Sequence, residues 1–262
     1  MNMKKIRKGQ QGTTLIEFMV AVAVGLILIL AATSTFIVQN RAFGTQTDVS
    51  QTRDVVRMAS THMTRALRLS GFRSVGESPT TAFVALTTQN TADTNGSDRI
   101  VTRFYGAGTG ANGNGTVVNC QGQGVNGTTL VTTHYSVRTV GSVVGLFCSL
   151  DAGANWTLLF PGIESMQVLQ GTDLNADNSV DTYGPPPATL TATADAVRSL
   201  DVSFVVTVGS SNNLRTGTQV FSHFGPNYSV GGTDGAAVYT APNDGRFRMQ
   251  ERMTVALRNR LN

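Results

Sequence analysis

The spacing of apolar and polar positions changes twice along this chain. From Phe18 to Val38 no charged residue occurs and apolar residues face every direction. As a helix these residues rise about 1.5 Å each and reach roughly 30 Å, enough to span the hydrocarbon of a bilayer. From Val49 onward the spacing is helical and one-sided. Val49, Thr52, Val56, Ala59, Met63, Ala66 and Leu69 recur at steps of three and four, interleaved with Arg53, Arg57, Arg65 and Arg68. No proline precedes Pro79, and Gly71 stands just past the last periodic residue, where a C-cap belongs. The pattern predicts one helix from about Thr14 to Ser70, weakest near Gly44. Its first half (13–38) suits a membrane or filament core, and its amphipathic second half (39–71) suits docking on a globular head.

Beyond Gly71 the chain breaks into short β-like runs between Gly, Asn and Asp turns. The runs are Ala82–Thr87, Arg99–Tyr105, Leu130–Val137, Val143–Ser149, Met166–Gln170, Val197–Val208 and Met253–Leu257. The order, one long helix and then strands, predicts an α+β fold: a long N-terminal helix packed on the antiparallel sheet of a β-rich head, residues 72–262.

Charge changes this picture little. The net charge is +4, and Lys4, Lys5, Arg7 and Lys8 supply all of that excess. Without them the remainder is balanced, which argues against strong phosphate binding, so no nucleic-acid partner is expected. The same basic stretch, placed before the apolar run, keeps the N-terminus on the cytoplasmic side and sends the head across the membrane. In an exported chain the two cysteines, Cys120 and Cys148, favour one disulfide; they lack the paired spacing of a zinc site.

A secretory signal would be cut after the apolar run, near Ala31-Ala32. Glu17 argues otherwise, because a carboxylate at the edge of hydrocarbon is costly without a partner. The segment Gly12-Thr13-Thr14-Leu15-Ile16-Glu17 resembles the signal of type IV prepilins. The resemblance implies a leader of residues 1–12, removed after Gly12 by a prepilin peptidase that also N-methylates Thr13. It implies that Glu17 pairs with the terminal amine of a neighbouring subunit during assembly. The family usually has Phe where this chain has Thr13, and many major pilins carry a proline in the apolar half, which this chain lacks.

Four further segments resemble the PilW-type minor pilins: Ala66 to Phe72, Asp98 to Gly106, Pro161 to Met166 and Val255 to Arg260. This implies a structural subunit rather than an enzyme. It would be held in the inner membrane with its head in the periplasm, then move into the pilus at the cell surface. The partners implied are other minor and major pilins, the assembly platform and an adhesin-like protein at the tip. The role implied is priming of pilus assembly. Neighbouring readings are a minor pseudopilin of type II secretion and an adhesive pilin whose head binds a ligand.

No cofactor is required by this reading, but one loop raises Ca²⁺. Asp173, Asn175, Asp177, Ser179 and Asp181 place oxygens at alternate positions, as in the first nine positions of an EF-hand loop. Asn178 replaces the usual glycine, and Gly184 stands where the closing Glu belongs. The alternative is a polar turn between strands. Two GxGxxG matches, starting at Gly108 and Gly122, lead into Thr/Val-rich strands rather than a helix and read as loops. His62, His134 and His223 form no metal or catalytic spacing.

Overall fold

A computed structural model describes residues 12, 14–188, 196–209, 217–225, 228 and 237–260. Helix α1 runs Leu15–Leu69. It passes through Gly44 without a break, so the cost of an interior glycine, about 1 kcal/mol, does not interrupt it. The described residues fall into two compact units, divided between Gln46 and Thr47. In the first unit the large apolar side chains of the helix, including Leu15, Ile16, Phe18, Leu26, Ile27, Leu28 and Leu30, are all exposed. This helix is long and apolar enough to cross a membrane.

The second unit begins in the same helix, where the predicted periodicity becomes burial. Thr52, Val56, Ala59, Met63 and Ala66 are buried as expected, together with Asp48 and Leu67. Two antiparallel sheets share the core with this face. The first is a five-stranded meander in chain order: β1 (Leu86–Asp93), β2 (Ser97–Tyr105), β3 (Leu130–Val140), β4 (Val143–Ser149) and β5 (Thr157–Pro161). The second has the order β11-β8-β6-β7, from β6 (Ile163–Thr172), β7 (Thr182–Gly184), β8 (Val197–Thr207) and β11 (Arg248–Ala256). A two-stranded ribbon, β9 (Gln219–Ser222) with β10 (Val238–Ala241), adds to these.

Strand β8 explains the layering. Leu200, Val202, Phe204 and Val206 enter the main core with Met63 and Leu67 of α1 and Ile100, Val137 and Leu146 of the meander. The alternate positions face the other side, where Val205 meets Tyr239 and Ala241, and Ser203 meets His223. Both faces are covered, but the second carries buried polar residues such as Asp201 and Ser203, so the strand alternates apolar and polar rather than reading as a continuous apolar run.

The expected strands at Arg99, Leu130, Val143, Met166, Val197 and Met253 form, most of them longer than expected. The run at Ala82 does not: its first residues are irregular, and β1 begins at Leu86. Strands β5, β7, β9 and β10 are not among the expected runs. They are three to five residues long, and β5 ends in a proline at the sheet edge.

Candidate functional site

The first candidate region is the start of α1. Thr14 and Glu17 form a reciprocal capping box: the Thr14 backbone amide donates to Glu17 Oε2 at 3.0 Å, and the Glu17 amide donates to Thr14 Oγ1 at 3.4 Å. The Thr14 hydroxyl also donates to Glu17 Oε2 at 3.2 Å. In the isolated chain the helix's own first turn therefore satisfies the Glu17 carboxylate, while the side chain stays exposed and able to meet another partner. The pattern of Thr followed three residues later by Glu could have revealed this cap from the sequence. Gly12 is exposed, and an added Cβ would meet nothing within 4 Å. Thr13, the expected methylated residue, lies outside the described residues.

The second region is the end of α1, where three of the singled-out segments meet. Gly71 adopts φ +81°, the left-handed C-cap. Its amide donates to Arg103 O at 2.8 Å, and the amide of Tyr105 donates to Phe72 O at 2.9 Å, which ties the helix end to β2. The Asn259 carboxamide donates to Arg68 O at 3.0 Å and to Ser70 O at 3.1 Å. A Cβ on Gly71 would lie 3.2 Å from the Cβ atoms of both Ala85 and Asn259. The fourth segment is stitched to the β1–β2 turn and the start of β2: Asn95 donates to Glu164 O at 2.8 Å, and the Met166 amide donates to Ser97 Oγ at 3.2 Å.

A buried ion cluster lies behind that fourth segment. Arg248, fully buried at its side chain, donates to Glu164 Oε2 at 2.7 Å and to both Asp244 oxygens at 2.7 Å. Tyr239 Oη donates to Glu164 Oε2 at 3.0 Å. The hydrogen bonds from Arg248 hold the Asp244 carboxyl down at about 2, against the smaller opposing effect of burial. Sequence reasoning missed this cluster, because nothing local links Glu164 to Arg248, 84 positions away. Nearby, His223 is buried between Ser165 Oγ and Ser203 Oγ, each 3.0 Å from a ring nitrogen, and burial pushes its imidazole down to about 4.

Cys120 and Cys148 form the expected disulfide. It clamps the glycine-rich loop between β2 and β3 to strand β4. The glycines of that loop serve its own packing: a Cβ on Gly106 would lie 1.9 Å from Val125 O, and one on Gly113 would lie 2.2 Å from Ala107 O. In the two GxGxxG matches close backbone approach accounts for Gly108, Gly113 and Gly124, whereas Gly110 and Gly122 have open space and serve left-handed turns at φ +85° and +80°.

The Asp173–Asp181 loop forms a turn whose oxygens are used within it. The Asp173 carboxylate accepts from Arg198 Nε at 3.0 Å and from the amides of Ala176 and Asn178 at 2.6 and 2.9 Å. Burial raises the Asp173 carboxyl, but Arg198 and those amides outweigh it and hold it below the usual range. Asp177 Oδ1 takes the Ser179 amide and hydroxyl, and Asp181 Oδ2 takes the Leu174 amide at 2.7 Å. Asn175 Oδ1 takes the Asp177 amide. Asn178 is left-handed at φ 68°, as the loop requires. Among the described residues no group of three or more His, Cys, Asp or Glu side chains could hold a metal ion. The residues do not fit Ca²⁺ in this arrangement, because Arg198 already supplies the positive charge at the buried carboxylate.

Comparison with known families decides the relationship. The type IV pilus-assembly protein W family matches residues 123–259, and the prokaryotic N-terminal methylation motif matches residues 7–33. The chain belongs to the type IV pilus-assembly protein W family. The first match ends at Asn259, the residue that caps α1, and the second contains Gly12, Thr13 and Glu17. Among solved structures, the chain is similar to the type IV-like pilin TTHA1219 from Thermus thermophilus. The identity is 18%, the TM-score 0.47, and the match covers 80% of this chain and 98% of the other. No curated protein matches the chain. As a member of the pilus-assembly protein W family with a methylation motif at the start of its helix, the chain is a minor pilin of type IV pilus assembly.

Proposed function

We propose that this member of the pilus-assembly protein W family is made as a membrane-held precursor, cut after Gly12, methylated on Thr13 and then moved into a pilus with other pilins. The observation that carries this reading is the pairing of an all-round apolar, exposed helix with a single carboxylate, Glu17, at its start. An apolar helix of that length needs lipid or other helices around it. Among neighbouring helices Glu17 would be unsatisfied beyond its own Thr14 cap, and the cationic amine at Thr13 of an adjoining subunit supplies the missing charge. One such ion pair fixes the axial position of an incoming subunit, because a shift along the apolar helix would leave both charges buried and unpaired.

The basic flank before the helix supports an orientation with the N-terminus in the cytoplasm and the head in the periplasm. The disulfide fits that oxidising compartment. In this reading the head is the part that distinguishes the subunit from others that share the helix, and its contacts with partner pilins prime the filament. Deletion of the gene in its host, with surface pili and protein secretion both scored, tests the role. Loss of pili with intact secretion is expected. Normal pili with failed secretion would move the chain to the pseudopilins of type II secretion.

A further inference from the structure

We propose that Asn114-Gly115, in the loop between β2 and β3, is a self-modification site. There the Gly115 nitrogen displaces ammonia from the Asn114 side chain, and water then leaves an aspartate or isoaspartate. Four Asn-Gly pairs occur in the chain: Asn95-Gly96, Asn112-Gly113, Asn114-Gly115 and Asn126-Gly127. In each, the glycine has no Cβ to shield its own backbone nitrogen. The local sequence therefore makes all four candidates, and the fold separates them. The reaction needs a backbone nitrogen free to attack and a side-chain carbonyl whose oxygen can take up negative charge.

Asn114 meets both needs. Its Oδ1 accepts from the Thr116 amide at 3.0 Å and from the Thr116 hydroxyl at 2.6 Å, two donors already placed at the atom that would become an oxyanion. The Gly115 amide donates to no acceptor among the described residues. Asn114 and Gly115 are both exposed, and the space beside Gly115 is open. Asn126 supplies the comparison. Its Oδ1 accepts from the Thr128 amide and hydroxyl, each at 3.0 Å, but the Gly127 amide is held by Gly108 O at 2.8 Å and Gly127 is buried against Glu77. At Asn112 the Gly113 amide is likewise engaged, donating to Gly110 O at 3.2 Å. At Asn95 the nitrogen that would leave is itself a donor, to Glu164 O at 2.8 Å.

In the first step the Gly115 nitrogen gives its proton to hydroxide and bonds to Asn114 Cγ, and the carbonyl electron pair moves onto Oδ1. The Cγ–Nδ2 bond then breaks, Nδ2 takes a proton from water and departs as ammonia, and a succinimide ring remains. Water opens the ring at Cγ to give aspartate, or at the main-chain carbonyl to give isoaspartate. The net change is one water in and one ammonia out. Residues 106–133 contain no Asp, Glu, Lys or Arg, so the reaction places a negative charge in a loop that otherwise carries none of these.

The full chain in detergent micelles, aged in mildly alkaline buffer and then mapped by peptide mass spectrometry, tests the site. The exchange of a side-chain NH₂ for OH is followed at each asparagine. Asn114 is expected to react about tenfold faster than Asn112 or Asn126, the factor set by one amide hydrogen bond that need not be broken. Thr116→Ala should slow Asn114 about threefold or more, through loss of one oxyanion donor, and leave Asn126 unchanged. Thr116 is exposed, and an unchanged melting temperature checks that the variant is folded. In urea, with the disulfide reduced, the four pairs should react at similar rates. Asn114 reacting no faster than Asn112 and Asn126 in the folded chain would overturn the proposal. The same order of rates in urea would also overturn it, by assigning the order to sequence rather than fold. An undiminished rate in Thr116→Ala would overturn the part given to its hydroxyl.

Discussion

The side chain of Asn259 caps the helix end at Arg68: its amide donates to Arg68 O at 3.0 Å, with a second bond to Ser70 O at 3.1 Å. The last described turn of the chain thereby closes a helix whose final turn lies 191 residues earlier. Each end of the head's sequence thus depends on the other. Asn259→Ala should cost about 1–2 kcal/mol in urea unfolding, since it leaves two helix-end carbonyls short of a donor. Asn259→Asp should cost more, because an acceptor would then face two acceptors. Two variants of wild-type stability would show that the cap contributes nothing.

The Cys120–Cys148 bridge closes a loop of sequence separation 28 that contains the glycine-rich segment. Cys120→Ser with Cys148→Ser should lower stability by about 3 kcal/mol through the greater freedom of the unfolded chain. Limited proteolysis of the variant should begin between β2 and β3. Cleavage elsewhere first would show that the loop holds its shape through its own backbone contacts.

Acid should weaken the head through its histidines. His223 has an ordinary value of 6.5 and is held at about 4 by burial. Between these values the unfolded chain takes up a proton that the folded chain refuses. Stability contributed by neutral His223 is thus present above pH 6.5 and lost as pH falls toward 4. The loss amounts to about 3 kcal/mol for this one group. His62 and His134 are also pushed down by burial and act in the same direction. His223→Gln should flatten that part of the stability profile; an unchanged slope would assign it to the other two.

The Asp173–Asp181 loop should be indifferent to calcium. Millimolar Ca²⁺ should shift the melting temperature of the chain by less than about 1 °C, well below the effect of a ligand present at 100 times its Kd. Arg198→Ala should instead lower it, since Asp173 would stay buried without its cation. A clear Ca²⁺-dependent rise that disappears in Asp177→Ala would mean that the loop rearranges to bind the ion.

Most of the architecture is legible in the residues because its causes are local. An uncharged run, a three-and-four periodicity and a glycine past the last repeat place α1 to within one residue at each end. Alternating and continuous apolar runs place the principal strands. The start of β1 is hidden because Ala82–Ala85 has strand-like composition but spends its carbonyls on the helix end and on Arg103: Ser70 Oγ and the Arg103 amide both donate to Ala85 O. The Arg248–Glu164–Asp244 cluster is invisible for another reason. Asp244 lies only four residues before Arg248, but Glu164 is 84 positions away and reaches Arg248 through the pairing of β11 with β8 and of β8 with β6. The acidic loop has ligand-like spacing, but the decisive residue, Arg198, comes from β8, beyond the short strand β7. At the N-terminus Gly12, Thr13 and Glu17 carry the resemblance, and all three lie within the matched methylation motif. The Thr14 cap on Glu17 is encoded in the same six residues, as a Thr with a Glu three positions on.

The central claim is that this chain enters the filament as a processed pilin. Pili sheared from the host, dissociated and analysed by intact-mass spectrometry measure it directly. The account predicts a chain that begins at Thr13 and carries one added methyl group on its terminal amine. A chain retaining Met1, or one cut near Ala31-Ala32 and so lacking Glu17, would contradict it.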